Sequence, residues 1–161
     1  MPGRQPPLQR RTVTPAAHLD ESNLLAIVGY QLAQAGVVTD RVFDSRVGGP
    51  MDLRRLEFTV LALLQGNPGA TARQLARALA VTPPHIAVTI DRLSARGLVE
   101  RERGTSDARL QHLSLSAAGV ALVDRAVTAL QAGEAEVMSA LSAAERAMLA
   151  ELLHKAAFKR P

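Results

Sequence analysis

From residue 71 to residue 115 the chain carries two helix-start signals, a glycine stop and an alternating strand, and no other stretch restricts the fold as tightly. Thr71-Ala-Arg-Gln74 is a capping box, in which the threonine accepts the orphan amide three residues on and the glutamine reaches back. Leu75 and Leu79 give the helix that starts there one apolar stripe, and Ala76 and Ala80 keep that face thin enough for a close neighbour. Thr82-Pro83 repeats the start signal, because threonine caps and proline at the first helical position gives up an amide that would be unpaired anyway. This second helix is expected to run to about Arg96, with Ile86, Ile90 and Leu93 on one side and Gly97 as the positive-φ stop. Residues 98–102 and 109–115 then form two strands, the second alternating Gln111/Leu113/Leu115 against Leu110/His112/Ser114. Gly104-Thr-Ser-Asp107 supplies the reversal between them.

Helix, short turn, helix is the arrangement that lays a second helix in the DNA major groove, and the hairpin adds a wing. At about 100° per residue, His85, Thr89, Arg92 and Arg96 share one stripe that adjoins the apolar face. Thr82, Pro83 and His85, at the helix start, are placed to approach base edges or phosphates, helped by free amides expected there. Arg92 and Arg96, later in the helix, suit backbone anchoring, and Arg73 and Arg77 on the preceding helix suit phosphate contact as well. The plainer alternative for each basic residue is a solvated surface charge.

The run Pro83-Pro-His-Ile-Ala-Val-Thr-Ile-Asp-Arg-Leu-Ser-Ala-Arg-Gly-Leu-Val-Glu-Arg101, with Asp107-Ala-Arg109 and Leu113-Ser-Leu-Ser-Ala-Ala-Gly119 after it, resembles the MarR family of bacterial winged-helix regulators. The likeness is close over this region and extends by layout to roughly 20–158. It implies an all-α fold with a small β-wing, a homodimer, and double-stranded DNA with a pseudo-palindromic operator as partner. Members are usually repressors, and many release DNA when small phenolic or carboxylate compounds bind. Arg109 resembles the family residue that enters the minor groove, and Asp107 resembles its orienting carboxylate; a turn residue bonded to its own backbone is a compatible reading of Asp107. Family members often carry a basic residue where this chain has Val88 in the second helix, and another where Ala108 stands in the wing. Losing both flattens the salt dependence of DNA binding by about two counterions at most, while Val88 can instead meet a thymine methyl. The resemblance also implies an effector pocket between the dimer helices and the reader. Tyr30, Arg54 and Arg55 are its candidate lining residues, with simple packing the alternative for Tyr30.

Around this centre the sequence divides into a proline- and arginine-rich arm at 1–17, an N-terminal dimerisation helix within 18–50, the winged helix-turn-helix at 51–115 and C-terminal dimerisation helices at 116–161. Asp20 or Ser22 is expected to cap a helix running to about Phe43 or Arg46, and Val47-Gly-Gly-Pro50 to break it. Asp52 begins a scaffold helix stopped by Gly66-Asn-Pro-Gly69. Ser116 caps a long helix in which Gly133 is expected to be a slack point, and Ser142-Ala-Ala-Glu145 is a capping box for the last one. With 47% hydrophobic residues but only Tyr30, Phe43, Phe58 and Phe158 as aromatics, alanine and leucine carry the burial, which favours closely packed helices.

The net charge of +4 is modest, but seven arginines face four acids in 71–115 and three more lie in the acid-free leader, a distribution compatible with phosphate binding. The absence of cysteine excludes disulfides, cysteine-ligated metals and a thiol switch. The four histidines are scattered, no nucleophile or phosphate-loop motif occurs, and neither a cofactor, a metal nor an enzymatic activity is expected. No uncharged span is long enough to cross a bilayer, which makes a cytoplasmic protein the simplest account. The expectation is a homodimeric, DNA-binding repressor of its own or a neighbouring operon, released by a small aromatic or carboxylate ligand. A winged-helix protein-interaction module that has lost operator binding, and a constitutive architectural protein, are the competing readings.

Overall fold

The computed structural model describes residues 12–15, 17–103 and 111–159. Most of the leader and the wing tip, with Asp107, Ala108 and Arg109, therefore lie outside the described residues. The chain forms two compact units, 1–41 and 42–161.

In the first unit Val13 and Asp20 pair as a β-bridge, a single 3₁₀ turn covers Ser22–Leu24, and α1 begins only at Val28. The Asp20 carboxylate accepts the Ser22 N–H (3.0 Å), so the expected start signal shapes a turn and not the first turn of the α-helix. Helix α1 (Val28–Phe43) leaves Val28, Leu32, Val37 and Val38 exposed.

The expected break at 47–50 does not occur. The helix passes through a π-helical turn, Asp44–Gly48, into the short α2 (Gly49–Met51), which contains Pro50. What ends it is Asp52, which is left-handed (φ 48°, ψ 52°) and so terminates a helix instead of starting one. The scaffold helix α3 (Arg55–Gly66) starts three residues late, with the Glu57 carboxylate accepting the Arg54 N–H (2.9 Å). Then come α4 (Ala72–Ala78), α5 (Pro83–Ala95), the antiparallel strands β1 (Val99–Arg103) and β2 (Gln111–Leu115), and α6 (Ala117–Val137) and α7 (Ala143–Ala156). The result is all-α apart from the two-stranded wing, whose register pairs Val99 with Leu115 and Arg103 with Gln111.

The core of the second unit is aliphatic. Val60, Leu61 and Leu64 of α3 pack with Ile86, Ile90 and Leu93 of α5, Leu75 and Ala76 of α4, and Leu122, Val123 and Ala126 of α6. The apolar side read for α5 is the buried one. The wing is tied beneath α3: Gly69 N–H donates to Leu113 O (2.9 Å), Leu113 N–H donates to Ala70 O (3.0 Å), and His112 Nδ1 lies 2.8 Å from the accepting Gly69 carbonyl. Two further readings need correction. Ala80 is not on the α4 face; it is the left-handed residue (φ 51°) after that helix, with Val81 N–H returning to Ala76 O (3.1 Å). Gly133 is no slack point either: α6 runs unbroken, and a Cβ there would lie 2.6 Å from Val42 Cγ1.

Helix α7 opens with its box formed, Ser142 N–H donating to Glu145 Oε2 (2.7 Å), and these Ser142 bonds hold the Glu145 carboxyl below the usual carboxylate range. Met148 and Leu152 of α7 remain exposed. Among the described residues no helix is long and apolar enough to cross a membrane.

Two glycine and alanine substitutions check this account by chemical denaturation. Gly119→Ala places a Cβ 2.2 Å from the Leu98 carbonyl oxygen, a backbone atom with no rotamer to escape through. It should destabilise by about 3 kcal/mol, despite the better helix propensity of alanine. Ala80→Gly relieves a left-handed alanine and should stabilise by about 1 kcal/mol.

Candidate nucleic-acid interface

Helix α4 begins as its sequence dictates, with Gln74 N–H donating to Thr71 Oγ1 (3.3 Å) and Thr71 N–H donating to Gln74 Oε1 (2.8 Å). Helix α5 begins differently. Thr82 holds the extended N-cap conformation (φ −70°, ψ 144°), but its hydroxyl makes no capping bond. A cap needs the second or third amide of the helix. The second belongs to Pro84 and does not exist, and the third, His85 N–H, donates to Thr82 O (3.1 Å), as does Ile86 N–H (3.2 Å). The free amides expected at this helix start are therefore missing or spent, and only side chains there are left to meet a ligand. The dipeptide Pro83-Pro84 was the signal that could have revealed this.

The stripe read on α5 also divides. His85 is exposed. Thr89 is buried, its hydroxyl donating to His85 O (2.8 Å), so it does not face solvent. Arg92 extends its Nε to 3.4 Å from Glu57 Oε1, and Glu57 is only 3% exposed. Arg96 donates from Nη1 to Asp52 O (2.6 Å) and from Nη2 to Met51 O (3.1 Å), holding the left-handed corner between α2 and α3. Thr89, Arg92 and Arg96 thus lie on the flank by which α5 is fastened to the scaffold, which is why a stripe adjoining the apolar face offers few unengaged cations. The remaining exposed residues of α5 are Pro83, Pro84, Ala87, Val88, Asp91 and Ala95.

A missed link lies at the base of the wing. Arg101 on β1 reaches back to α5, pairing through Nη2 with the Asp91 carboxylate and donating from Nε to Ser94 Oγ (3.1 Å). Its ten-residue separation from Asp91 crosses a helix end and a turn, so no helical or strand periodicity flags it. Beside α5, an open depression is lined by Arg73, Ala76, Arg77, Ala80, Val81 and Pro83, bringing the exposed Arg73 and Arg77 alongside the helix start.

The residues read as an effector pocket have local partners. Tyr30, in the first unit, donates its phenol to Glu21 Oε2 (2.5 Å), and that bond, with Glu21's charge, raises the phenol above its ordinary value. In the second unit, Arg54 is the N-cap of α3, and Arg55 lies 4.5 Å over the Phe43 ring and 3.7 Å from Asp44 Oδ1. Among the described residues no group of three or more histidine and acidic side chains is arranged to hold a metal.

Comparison with known proteins agrees with this geometry. Residues 51–110 match the model of the MarR family. The HTH-type transcriptional repressor Rv2887 of Mycobacterium tuberculosis is 32% identical over 130 residues, spanning 81% of this chain and 93% of its own. Among solved structures, the transcriptional repressor CouR, bound to a 23-mer DNA duplex, superposes with a TM-score of 0.77 at 30% identity, over 86% of this chain and 98% of that one. The Rv2887 complex with p-aminosalicylic acid gives 0.66 at 30% identity, over 81% and 98%.

The Arg92–Glu57 link predicts an asymmetry within one set of surface arginines. Arg92→Ala leaves a buried carboxylate without its cation and should cost about 2 kcal/mol of stability. Arg73→Ala, on an exposed residue with no such burden, should stay within about 0.5 kcal/mol. Urea titration of both variants measures the difference.

Proposed function

The chain belongs to the MarR family of transcriptional regulators, and on that premise we propose that it acts as a homodimeric repressor that binds a pseudo-palindromic operator and leaves it when a small aromatic carboxylate binds. Its work is binding, not catalysis. The observation that carries the DNA reading is the outer face of α5, which stays exposed while the helix is pinned on its other sides by Glu57, by the Met51 and Asp52 carbonyls and by Arg101. A helix held this firmly presents its outer side chains without paying an ordering cost on binding. Arg73 and Arg77 on α4, together with Thr82, Pro83 and His85 at the start of α5, supply the adjoining phosphate and base contacts. Arg109, oriented by Asp107, is assigned to the minor groove, as the resemblance of the wing motif implies.

Two further assignments rest on surplus surface and on relatives. The apolar residues exposed on α1 and on α7 are more than a lone soluble chain needs, and a second copy is the partner that would cover them. Two copies related by a two-fold axis place two α5 helices about one DNA turn apart, and a pseudo-palindromic site follows. CouR and Rv2887 are both named as repressors, and Rv2887 was solved with p-aminosalicylic acid, which supports repression and an aromatic carboxylate effector here. Arg54 and Arg55, at the start of α3, are the cations assigned to that effector's carboxylate.

Genomic fragments selected by the purified full-length chain should converge on one pseudo-palindrome near its own or a neighbouring gene. Arg109→Ala should weaken that binding strongly, and Arg73→Ala should lower the slope of log affinity against log salt by about one. Arg96→Ala, whose guanidinium is committed to carbonyls, should leave the slope unchanged. Fragments no more enriched than background at low salt, with one protein recovered stoichiometrically instead, would favour the interaction-module reading.

A further inference from the structure

The outer ridge of α5 is unusually poor in hydrogen-bond donors for a helix that reads DNA. At about 100° per residue, Val88 lies some 140–160° around the helix from Ile86, Ile90 and Leu93, and these three are the side chains buried against the scaffold. Val88 therefore stands at the crest of the helix, 59% exposed. Along the same crest, Pro84 and Ala95 carry no polar side-chain atom, and Asp91 is held by Arg101. Arg92, about 40° round from Val88, turns its Nε toward the buried Glu57 carboxylate, and Arg96, the C-cap residue, gives its guanidinium to the Met51 and Asp52 carbonyls. His85 stands to one side of the crest, at the helix start.

With Arg92 drawn toward Glu57, the crest residues Pro84, Val88 and Ala95 themselves carry no group that makes the bidentate bond to guanine O6 and N7 that arginine makes. What it offers to a base edge is a branched, apolar surface, and the major-groove feature that matches it is the thymine C5 methyl. A valine is also stiff at χ1, so little side-chain freedom is lost when it is seated. We propose that Val88 is a specificity-determining residue of the interface, selecting a thymine in each half-site by contact with its methyl group. This rests on the DNA-binding reading above and goes beyond it by naming the base feature that is read.

The test separates the two. The purified full-length chain is used to select duplexes from a random pool, and the selected duplex is then synthesised with deoxyuridine in place of each thymidine in turn, which removes the methyl and keeps every Watson–Crick bond. One position per half-site should lose about fourfold in affinity, the factor expected when one methyl-sized contact is lost. Val88→Ala, a surface change on a helix, should lose affinity for the thymine duplex and become indifferent to deoxyuridine at that position. A pool that yields no preferred sequence would defeat the DNA-binding reading and this inference with it. A preferred sequence that tolerates deoxyuridine throughout, or a deoxyuridine loss equally large in Val88→Ala, would overturn the role of Val88 while operator binding stands.

Discussion

The corner at Gly97 and Leu98 is the contact on which the rest of the second unit depends. There α5 stops in a left-handed glycine (φ 68°), β1 begins, β2 returns and α6 starts. Ser116 closes the corner twice, its hydroxyl donating to Gly97 O (2.6 Å) and its N–H to Leu98 O (3.1 Å), while Gly119 N–H donates to the same Ser116 hydroxyl (3.0 Å). The absence of a side chain at Gly119 lets the first turn of α6 sit directly on the Leu98 carbonyl. Each hydrogen bond is worth only about 1 kcal/mol net. Their combined effect is geometric: the end of the reader helix, both wing strands and the long helix α6 become one body.

Charge is distributed to serve that body first. A carboxylate as buried as Glu57 needs partners, and it has the Arg54 N–H and the Arg92 guanidinium. Arg96 in turn satisfies carbonyls left over by the left-handed turn at Asp52. Two of the seven arginines in 71–115 are thereby used internally, and a third, Arg101, is used to fasten the wing base. Among the described residues, the exposed Arg73 and Arg77 lie beside the start of α5 and not on its crest.

Much of the local structure was legible in the residues, because caps and stops are decided by neighbours in sequence. Thr71 with Gln74, Ser116, and Ser142 with Glu145 each cap the helix that follows, and Gly97 ends α5 with positive φ. The failures have equally specific causes. Val47-Gly-Gly-Pro50 reads as a break because glycine and proline are breakers in isolation, yet a π-turn that buries Val47 completely repays the cost and carries the helix onward. Asp52 reads as a cap because aspartate caps, yet aspartate also tolerates the left-handed region, and the Arg96 side chain holds it there from 44 residues away.

Sequence by itself determined where most helices and both strands lie, the family to which the chain belongs, and the apolar side of α5. It also contained, in Pro84, the reason Thr82 makes no side-chain cap. Only the tertiary structure decided which polar residues of α5 look outward, since 3.6-residue periodicity gives angles about a helix's own axis and says nothing of where the neighbouring helices stand. That is why Arg92 and Arg96 proved to be fastening residues, Thr89 a buried one bonded within its own helix, and Val88 the crest. The same holds for Gly119 and Gly133: a glycine in a helical run signals only a missing side chain, and it takes the packed neighbours to show that another backbone or a valine methyl occupies the space.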